Sequence, residues 1–322
     1  MKKIRTAVVG TGYLGKFHLD KYSSLAQSEL IYVCDCDESI AKKYAKKYKC
    51  QWVTDYTELK GKVDAVSIAT PTSLHYKLGA FFLKNGIHVL MEKPITNTLA
   101  EADELIQLAK EHNLILQVGH LERFNPVIKH IEPFINHVRF IESVRLAPFN
   151  PRGTDVNVIL DLMIHDIDLI QYLVKSPIID IRANGASVIS STADITNARL
   201  EFENGCVANV TASRVSFKTE RKMRIFQNEC YMSLNLHDRS SDSYVRGKGT
   251  MLPGMPNVKH EGKKFKEGDP IKDEIINFLS AITTGTQPVV TGEAGKTALA
   301  TAIQITESLH RSKQWNLDCH TV

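Results

Sequence analysis

Long hydrophobic runs are missing from this sequence of 322 residues. No stretch approaches the roughly 18 consecutive apolar residues that a membrane-spanning helix needs. The first residues also lack the apolar segment of a secretory signal peptide, because a glycine turn follows soon after Met1. These two absences predict a cytoplasmic protein that has no membrane contact.

Clustered charge of one sign is missing too, since a net charge of +4 is spread along the whole chain. The densest basic stretch, 42–49, alternates lysine with tyrosine and alanine, which is typical of a solvated helix face and predicts no nucleic-acid partner. The six cysteines are scattered, without the spacing of zinc sites or of secreted disulfide frameworks. We therefore expect reduced cysteines and no metal.

The chain is long enough for two domains, and its first part has the pattern of an α/β fold. Short apolar segments alternate with amphipathic ones, which predicts a parallel sheet with crossover helices. The predicted strands are 6–10, 30–34, 65–69, 88–91 and 115–119, and the predicted helices are 39–47, 73–85 and 99–112. We expect a dinucleotide-binding Rossmann domain over residues 1–121.

The pattern changes after about residue 122, and residues 122–322 predict an α+β domain for substrate binding and oligomerisation. Long β-type segments follow one strong helix at 156–174, and two helices, 272–284 and 293–311, come last. The β-type segments are 180–190, 198–202, 206–215, 223–226 and 231–235. They predict a large, mostly antiparallel, open-faced sheet, whose uncovered face favours a homodimer or homotetramer. Residues 239–272 are polar and rich in glycine and proline, which predicts a long loop.

A glycine-rich loop follows the first predicted strand: Gly10, Thr11, Gly12, Tyr13, Leu14 and Gly15. In such a loop Gly10 allows a tight turn, Gly12 lets the backbone approach a pyrophosphate, and Gly15 lets the next helix pack closely. The phosphates then lie at the positive end of that helix. The loop therefore predicts a dinucleotide cofactor.

Asp35 ends the second predicted strand, twenty residues beyond the last glycine of the loop. A carboxylate at this place hydrogen-bonds the adenosine ribose and repels the 2′-phosphate of NADP, so the sequence favours NAD. Asp37 lies close enough to share the task. Two alternatives stay open: Asp35 caps the helix that begins near Glu38, or the cofactor is NADP.

Lys93, Asp161 and His165 are the candidate catalytic residues. Lys93 follows the apolar segment 88–91, at the strand end where open α/β sheets bind ligands. Asp161 and His165 are four residues apart on one predicted helical face, so the carboxylate can orient the imidazole. A surface lysine and a surface ion pair are the plainer interpretations of the same residues.

Taken together, these motifs strongly resemble the glucose–fructose oxidoreductase / inositol dehydrogenase (Gfo/Idh/MocA) family. The resemblance covers essentially the whole chain. The matching elements are Gly10-x-Gly12-x-x-Gly15, Ala69-Thr70-Pro71-Thr72-x-x-His75, Glu92-Lys93-Pro94, Gly119-His120, Asp161-x-x-x-His165 and Gly292-Glu293-Ala294-Gly295.

The resemblance implies an enzyme, an NAD(P)-dependent dehydrogenase acting on CH–OH groups, with its active site between the two domains. It implies that Lys93, Asp161 and His165 form the catalytic set. It also implies that Thr70, Pro71, His75 and Glu92 border the nicotinamide half of the cofactor. His165 is the natural base near neutral pH, and Lys93 can hold the hydroxyl and stabilise charge on its oxygen. The base role can also be exchanged between these two residues.

Segments 119–126 and 161–168 resemble the nucleotide-sugar branch of the family. In particular, they are similar to those members of the branch that oxidise the 3-hydroxyl of UDP-N-acetylglucosamine before amination, for lipid A or surface-sugar synthesis. Arginines suit the pyrophosphate of such a substrate, and Asn157 is placed to reach the sugar. The candidate arginines are Arg123, Arg145, Arg152 and Arg214. An inositol or free-sugar dehydrogenase and a non-catalytic NAD-binding sensor remain as alternatives.

Overall fold

The computed structural model describes residues 3–150, 156–252 and 255–311. The chain divides into two compact units. The first unit comprises Met1–Phe124 and Asp269–Thr297, and the second comprises Asn125–Gly268 and Ala298–Val322. This division differs from the sequence-based boundary at 121/122, because a segment near the carboxyl end returns to the first unit.

A six-stranded parallel sheet forms the first unit, in the strand order β3-β2-β1-β4-β5-β6. Its strands are β1 (Ile4–Val9), β2 (Ser28–Cys34), β3 (Gln51–Val53), β4 (Ala65–Ile68), β5 (His88–Met91) and β6 (Leu116–Val118). Its helices are α1 (Gly15–Ser24), α2 (Glu38–Tyr48), α3 (His75–Lys84), α4 (Leu99–Glu111) and, from the returning segment, α7 (Pro270–Thr284). The predicted Rossmann fold is confirmed.

Local signals in the sequence set the helix starts of this unit. Thr98 and Glu101 form a reciprocal capping box at the start of α4. Asp269 caps α7 by accepting from the Lys272 amide at 3.1 Å, with Pro270 in the first turn. Apolar side chains of α1 and α7 share one buried cluster, which includes Leu19 and Phe278. This packing explains why α7 belongs to the first unit.

An eight-stranded sheet forms the second unit, in the strand order β14-β13-β12-β11-β7-β10-β9-β8. Its strands are β7 (Val138–Leu146), β8 (Ile178–Ala186), β9 (Ile195–Phe202), β10 (Val207–Ser213), β11 (Glu220–Gln227), β12 (Cys230–Asn235), β13 (Ser240–Leu252) and β14 (Met255–Lys264). β7 and β10 pair in parallel, and the other neighbours are antiparallel. The predicted mostly antiparallel sheet is confirmed.

One face of the eight-stranded sheet carries the core of the second unit. Residues alternate along β9 and β10, so that Ala198, Leu200 and Val210 are buried against the helices. Those helices are α5 (Pro126–Ile131), α6 (Ile164–Val174) and the part of α8 (Gly292–Arg311) from Ala298 onward.

The opposite face carries a ladder of ring contacts that crosses five adjacent strands. Neighbouring rings lie between 4.6 and 5.8 Å apart. The ladder consists of Phe140, Phe226, Tyr231, Tyr244 and His260.

The predicted loop at 239–272 is wrong. Strands β13 and β14 pair antiparallel from Ser240↔Lys264 onward and form a hairpin at the edge of the sheet. Most of their side chains are exposed, so the apolar–polar alternation that marks a half-buried strand is absent from the sequence. The pairing with β12 therefore decides the structure of this segment.

The helix predicted at 156–174 begins later and with a different geometry. Its first turn, Ile159–Met163, is π-helical, and α6 follows from Ile164. π-helical turns occur mostly as single turns within α-helices, and they are frequent at functional sites. Asp161 lies in this turn, one helical turn before His165.

Within the described ranges, every helix is too short or too polar to cross a membrane.

Candidate active site

The glycine loop joins β1 to α1 and has the close contacts that glycine requires. Gly10 has φ +82°, and a Cβ there would lie 2.8 Å from the Ala69 carbonyl oxygen. A Cβ at Gly15 would lie 1.9 Å from the Gly10 carbonyl oxygen. At Gly12 an added Cβ would meet no described atom within 4 Å, so the backbone of the turn is open. An open backbone at a helix amino terminus suits a pyrophosphate.

The other residues of the loop differ in burial. Thr11 is buried, whereas Tyr13 is 66% exposed and packs edge-on against Phe17. Leu14 occupies the N-cap position of α1 and provides no side-chain cap. Since a helix needs partners for its first amides, this end of α1 can receive an anion instead.

Asp35 directly follows β2, and its carboxylate forms hydrogen bonds with the glycine loop. Its Oδ2 accepts hydrogen bonds from the Thr11 amide at 2.8 Å and from the Thr11 hydroxyl at 2.7 Å. Its Oδ1 accepts from the Asp37 amide at 3.0 Å. The alternative that Asp35 caps α2 is wrong, because Asp37 is the cap and accepts from the amides of Ser39 and Ile40. Hydrogen bonds from Ser39 and Ile40 lower the pKa of Asp37.

A cleft with a volume of about 480 Å³ opens beside Asp35. Sequence motifs do not predict several of the residues that line this cleft, because these residues follow the three-residue strand β3 or lie at the start of α3 and match no short motif. They are Thr54, Asp55, Tyr56, Leu74, Lys77 and Leu78. Thr70 and Pro71, which the sequence analysis did select, also line this cleft.

His75 ties two loops of the first unit together. Its Nδ1 lies 2.8 Å from the Pro94 carbonyl oxygen, and its Nε2 lies 2.9 Å from the Thr70 carbonyl oxygen. Burial lowers the pKa of His75, although both carbonyls favour the protonated ring. The side chain therefore fixes the loop after β4 against the loop after β5.

Glu92 and Lys93 follow directly on β5. Glu92 is 5% exposed, and its Oε1 lies 2.9 Å from His18 Nε2. Lys93 is half-buried and precedes Pro94 through a cis peptide bond. Burial acts to raise the pKa of Glu92, but the His18 hydrogen bond and the nearby positive charges, including that of Lys93, outweigh burial and lower it. Glu92 is thus a buried carboxylate beside a lysine.

These residues fit a bound dinucleotide. The Gly12 backbone is open, and the Asp35 carboxylate borders the cleft. Thr70 Oγ1 is buried and has no hydrogen-bond partner among the described residues, so it can bind a polar group of a ligand. All the predicted cofactor residues, including Lys93, belong to the first unit. Those that line the cleft are Gly10, Thr11, Gly12, Asp35, Thr70 and Pro71.

Asp161 and His165 lie in the second unit, and both are half-buried. The next residue, Asp166, is 2% exposed and accepts from Arg145 Nε at 2.6 Å and from Ser143 Oγ at 3.0 Å. This buried ion pair attaches the helix to β7, so the placement of His165 depends on it.

Several of the predicted substrate residues already form contacts with other residues of the chain. Arg145 and Arg214 are buried in ion pairs with Asp166 and Asp194, so neither matches the expected phosphate-binding role. Arg123 donates to the Val289 carbonyl oxygen at 3.2 Å and belongs to the first unit. Arg152 lies outside the described residues.

Asn157 precedes the helix rather than lying within it. Its Oδ1 accepts from the Leu160 amide at 3.0 Å, and its Nδ2 donates to Thr306 Oγ1 at 3.3 Å. Asn157 therefore anchors the start of the helix that carries Asp161 and His165.

Each of the two units matches the model of a known protein family. Residues 4–120 match the model of the oxidoreductase family with an NAD-binding Rossmann fold, and residues 139–231 match the GFO/IDH/MocA C-terminal domain. The chain belongs to the Gfo/Idh/MocA family of oxidoreductases. The resemblance that the sequence motifs indicated is confirmed, and so is the assignment as an enzyme of this oxidoreductase family.

Individual relatives cover nearly the full chain. The UDP-N-acetylglucosamine 3-dehydrogenase of Acidithiobacillus ferrooxidans is 39% identical over 95% of this chain and 97% of that protein. A solved structure of that enzyme has a TM-score of 0.91 and covers 96% of this chain and 98% of its own. The inositol 2-dehydrogenase of Rhizobium meliloti is 24% identical over 97% of this chain and 98% of that protein.

A more distant structure shows the same fold. The scyllo-inositol dehydrogenase from Lactobacillus casei, solved with bound NAD(H) and scyllo-inositol, has a TM-score of 0.81 at 19% identity. It covers 96% of this chain and 98% of its own.

Proposed function

We propose that this chain is an NAD-dependent dehydrogenase that oxidises the 3-hydroxyl of UDP-N-acetylglucosamine. The observation that carries the proposal is the 39% identity to a UDP-N-acetylglucosamine 3-dehydrogenase along 95% of the chain, with a TM-score of 0.91. The named inositol dehydrogenase is less similar, at 24% identity. An inositol or free-sugar dehydrogenase is therefore the second candidate.

We propose Lys93, Asp161 and His165 as the catalytic residues. His165 accepts the proton of the substrate hydroxyl, and Asp161 sets the tautomer of the imidazole. Lys93 donates a hydrogen bond to the same oxygen and stabilises the negative charge that develops on it. NAD held by the first unit would supply the acceptor for the hydride of the sugar carbon.

The first unit supplies the cofactor site in this proposal. The amides of Gly10–Gly15 hold the pyrophosphate, and Asp35 accepts hydrogen bonds from the adenosine ribose. Thr70, Pro71, His75 and Glu92 border the nicotinamide half. Asp35 and Asp55 both line the cleft, so two carboxylates oppose the 2′-phosphate of NADP. Lys77 lines the same cleft, which makes a direct comparison of the two cofactors informative.

For the substrate we retain Arg123, Asn157, Lys93, Asp161 and His165 as proposed contacts. Arg123 is half-buried, and its guanidinium can bind a phosphate oxygen in addition to the Val289 carbonyl. Asn157 acts mainly through the helix that it anchors.

Steady-state turnover tests the proposal. NADH formation is followed with UDP-N-acetylglucosamine, myo-inositol, scyllo-inositol and glucose at equal concentrations. We expect kcat/KM for the nucleotide sugar to exceed the others by at least about a hundredfold, because a polar site discriminates strongly against substrates that leave its groups unpaired. Preference for an inositol supports the second candidate. NAD binding without turnover of any of the four supports a sensor without catalysis.

A further inference from the structure

A buried polar network lies beneath Glu92 in the core of the first unit. It joins Tyr22 and His18 on α1, Ser67 on β4, Glu92 after β5, and Glu274 on α7. All five residues are less than 6% exposed, and four of them are at 0 or 1%. A core of apolar side chains would be simpler to stabilise, so this network calls for a role.

Four of the five side chains form a continuous chain of hydrogen bonds. Tyr22 Oη lies 2.8 Å from Ser67 Oγ, which lies 3.1 Å from His18 Nδ1. In the arrangement with Glu92 ionised and the imidazole neutral, His18 Nε2 donates to Glu92 Oε1 at 2.9 Å and Nδ1 accepts. Ser67 then donates to Nδ1, and Tyr22 donates to Ser67. Every hydrogen bond in this arrangement points toward the Glu92 carboxylate.

The second oxygen of Glu92 is confined by the backbone. A Cβ on Gly119 would lie 2.9 Å from Glu92 Oε2, so only glycine leaves room for the carboxylate at this place. One oxygen is therefore held by His18 and the other packs against Gly119. The charge of the adjacent Lys93 contributes to keeping Glu92 ionised.

Glu274 is the fifth member and is held differently. It is fully buried, and neither carboxyl oxygen has a hydrogen-bond partner among the described residues. One oxygen of Glu274, one oxygen of Glu92 and one nitrogen of His18 all lie within 4.8 Å of one another. Burial first, and the charge of Glu92 second, raise the pKa of Glu274 well above its ordinary value.

The backbone of Glu274 is anchored at this position. Gln117 on β6 donates from Nε2 to the Glu274 carbonyl oxygen at 3.1 Å, and both residues are 0% exposed. Ile275 and Phe278 pack into the cluster around Leu19 and Tyr22. The carboxyl group therefore cannot turn to solvent, and two carboxyl groups share one enclosed space.

We propose that Glu274 is a positioning residue: as a neutral carboxylic acid it completes the network around Glu92 and leaves one negative charge, that of Glu92, beside Lys93. Two carboxyl groups this close do not both ionise in a buried site, and the one nearer His18 and Lys93 takes the charge. Glu274 acts on Lys93 through Glu92. Its effect on turnover rests on the proposed function, in which Lys93 binds the substrate oxygen.

The protonation state is measured without substrate. Infrared spectra of the whole protein at pH about 8, where ordinary carboxyl groups are ionised, are expected to contain the C=O band of a protonated acid. The band disappears in Glu274→Gln and stays in Glu111→Gln, which removes an exposed carboxyl from α4. Absence of the band from the unmodified protein overturns the proposal. So does a stoichiometric divalent cation in elemental analysis, since the cation would then neutralise the carboxylates.

The positioning role is tested by comparing stability with turnover. In Glu274→Leu an unpaired buried acid is replaced by an apolar side chain of similar size, so Tm is expected to rise or stay the same. The same variant is expected to lower kcat about tenfold or more, as loss of a supporting group does. Glu274→Gln keeps a neutral polar group and restores most of kcat. A merely structural role would move Tm and kcat in the same direction.

Unchanged kcat in Glu274→Leu overturns the positioning role. The turnover assay uses whichever secondary alcohol the unmodified protein oxidises. If UDP-N-acetylglucosamine is not turned over but the infrared band is present, the proposed substrate fails and the protonated Glu274 stands.

Discussion

The residues that precede Lys93 in the chain determine its position. It follows a buried strand, and the carboxylate before it is fixed by His18 and by the backbone of Gly119. A half-buried lysine beside one buried carboxylate is well placed to present its ammonium group to a substrate oxygen.

Replacement of Lys93 tests this role. Lys93→Ala is expected to lower kcat by about a thousandfold, because the developing charge on oxygen loses its partner. NAD binding, measured by calorimetry, is expected to stay within about threefold, since the glycine loop and Asp35 supply most of the cofactor contacts. Lys43→Ala, an exposed lysine on α2, serves as the control. Near-normal turnover of Lys93→Ala contradicts the assignment.

Asp35 is the proposed determinant of the choice between NAD and NADP. Asp35→Ser is expected to raise KM for NAD about tenfold or more and to improve the ratio of kcat/KM for NADP to that for NAD, because the carboxylate that repels a 2′-phosphate is gone. Glu111→Gln, which removes an exposed carboxylate from α4, is the control. An unchanged NADP-to-NAD ratio in Asp35→Ser contradicts the role.

Sequence reasoning at the residue scale works where a motif is local. The spacing of Gly10, Gly15 and Asp35 predicts a compact loop that the structure shows. Glu274 gives no such signal, because its burial depends on a segment that returns to the first unit from far along the chain. Arg145 and Arg214 were misassigned for a related reason: their buried partners, Asp166 and Asp194, are distant in sequence.

At the scale of elements, the segment between β8 and β9 is organised around one buried carboxylate. Asp194 Oδ2 accepts from the amides of Val188, Ile189 and Ser190 at 2.6–2.9 Å. Its Oδ1 accepts from Arg214 Nε at 2.8 Å. Burial acts to raise the pKa of Asp194, but these hydrogen bonds outweigh it and lower the pKa far below the ordinary value.

Stability of the second unit is therefore expected to depend on this carboxylate and on pH. Asp194→Asn is expected to lower the free energy of unfolding by about 3 kcal/mol at neutral pH, since it removes the carboxylate that neutralises the buried charge of Arg214. Because the pKa of Asp194 is lower in the folded state than in the unfolded state, the ionised carboxylate stabilises the fold at pH values above the unfolded-state pKa. This stabilisation is lost as the pH falls. The difference between the two proteins therefore shrinks below pH about 4. Urea titrations over a pH series measure it, and a constant difference contradicts the account.

The hairpin β13–β14 shows where element prediction fails. Its strands are exposed on both faces for most of their length, so no apolar alternation marks them, and the glycines at 247 and 249 suggest a loop. Instead, β13 pairs antiparallel with β12, for example at Tyr231↔Tyr244. This pairing provides partners for the backbone groups of β13. Strands β4 and β9 were predictable because the side chains of β4 are nearly all apolar and those of β9 alternate between buried and exposed.

At the scale of the whole molecule, the open face of the eight-stranded sheet predicts self-association. Its centre contains the stacked rings of Phe226 and Tyr231, whose centroids are 4.8 Å apart. Light scattering at micromolar concentration is expected to give a mass of at least twice 36.1 kDa. Tyr231→Glu is expected to lower that mass, because burial of a charge at an interface is unfavourable. Trp52→Glu on β3 is the control, and a monomeric mass for the unmodified protein contradicts the prediction.

The most direct test of the proposed function follows the hydride itself. UDP-N-acetylglucosamine carrying deuterium on C3 of the sugar is incubated with the protein and NAD, and the reduced cofactor is analysed by mass spectrometry. We expect deuterium to appear in NADH, and we expect turnover to be slower than with the unlabelled sugar when hydride transfer limits the rate. Substrate labelled at C4 instead transfers none. Reduced cofactor without deuterium from the C3-labelled sugar contradicts the proposed reaction.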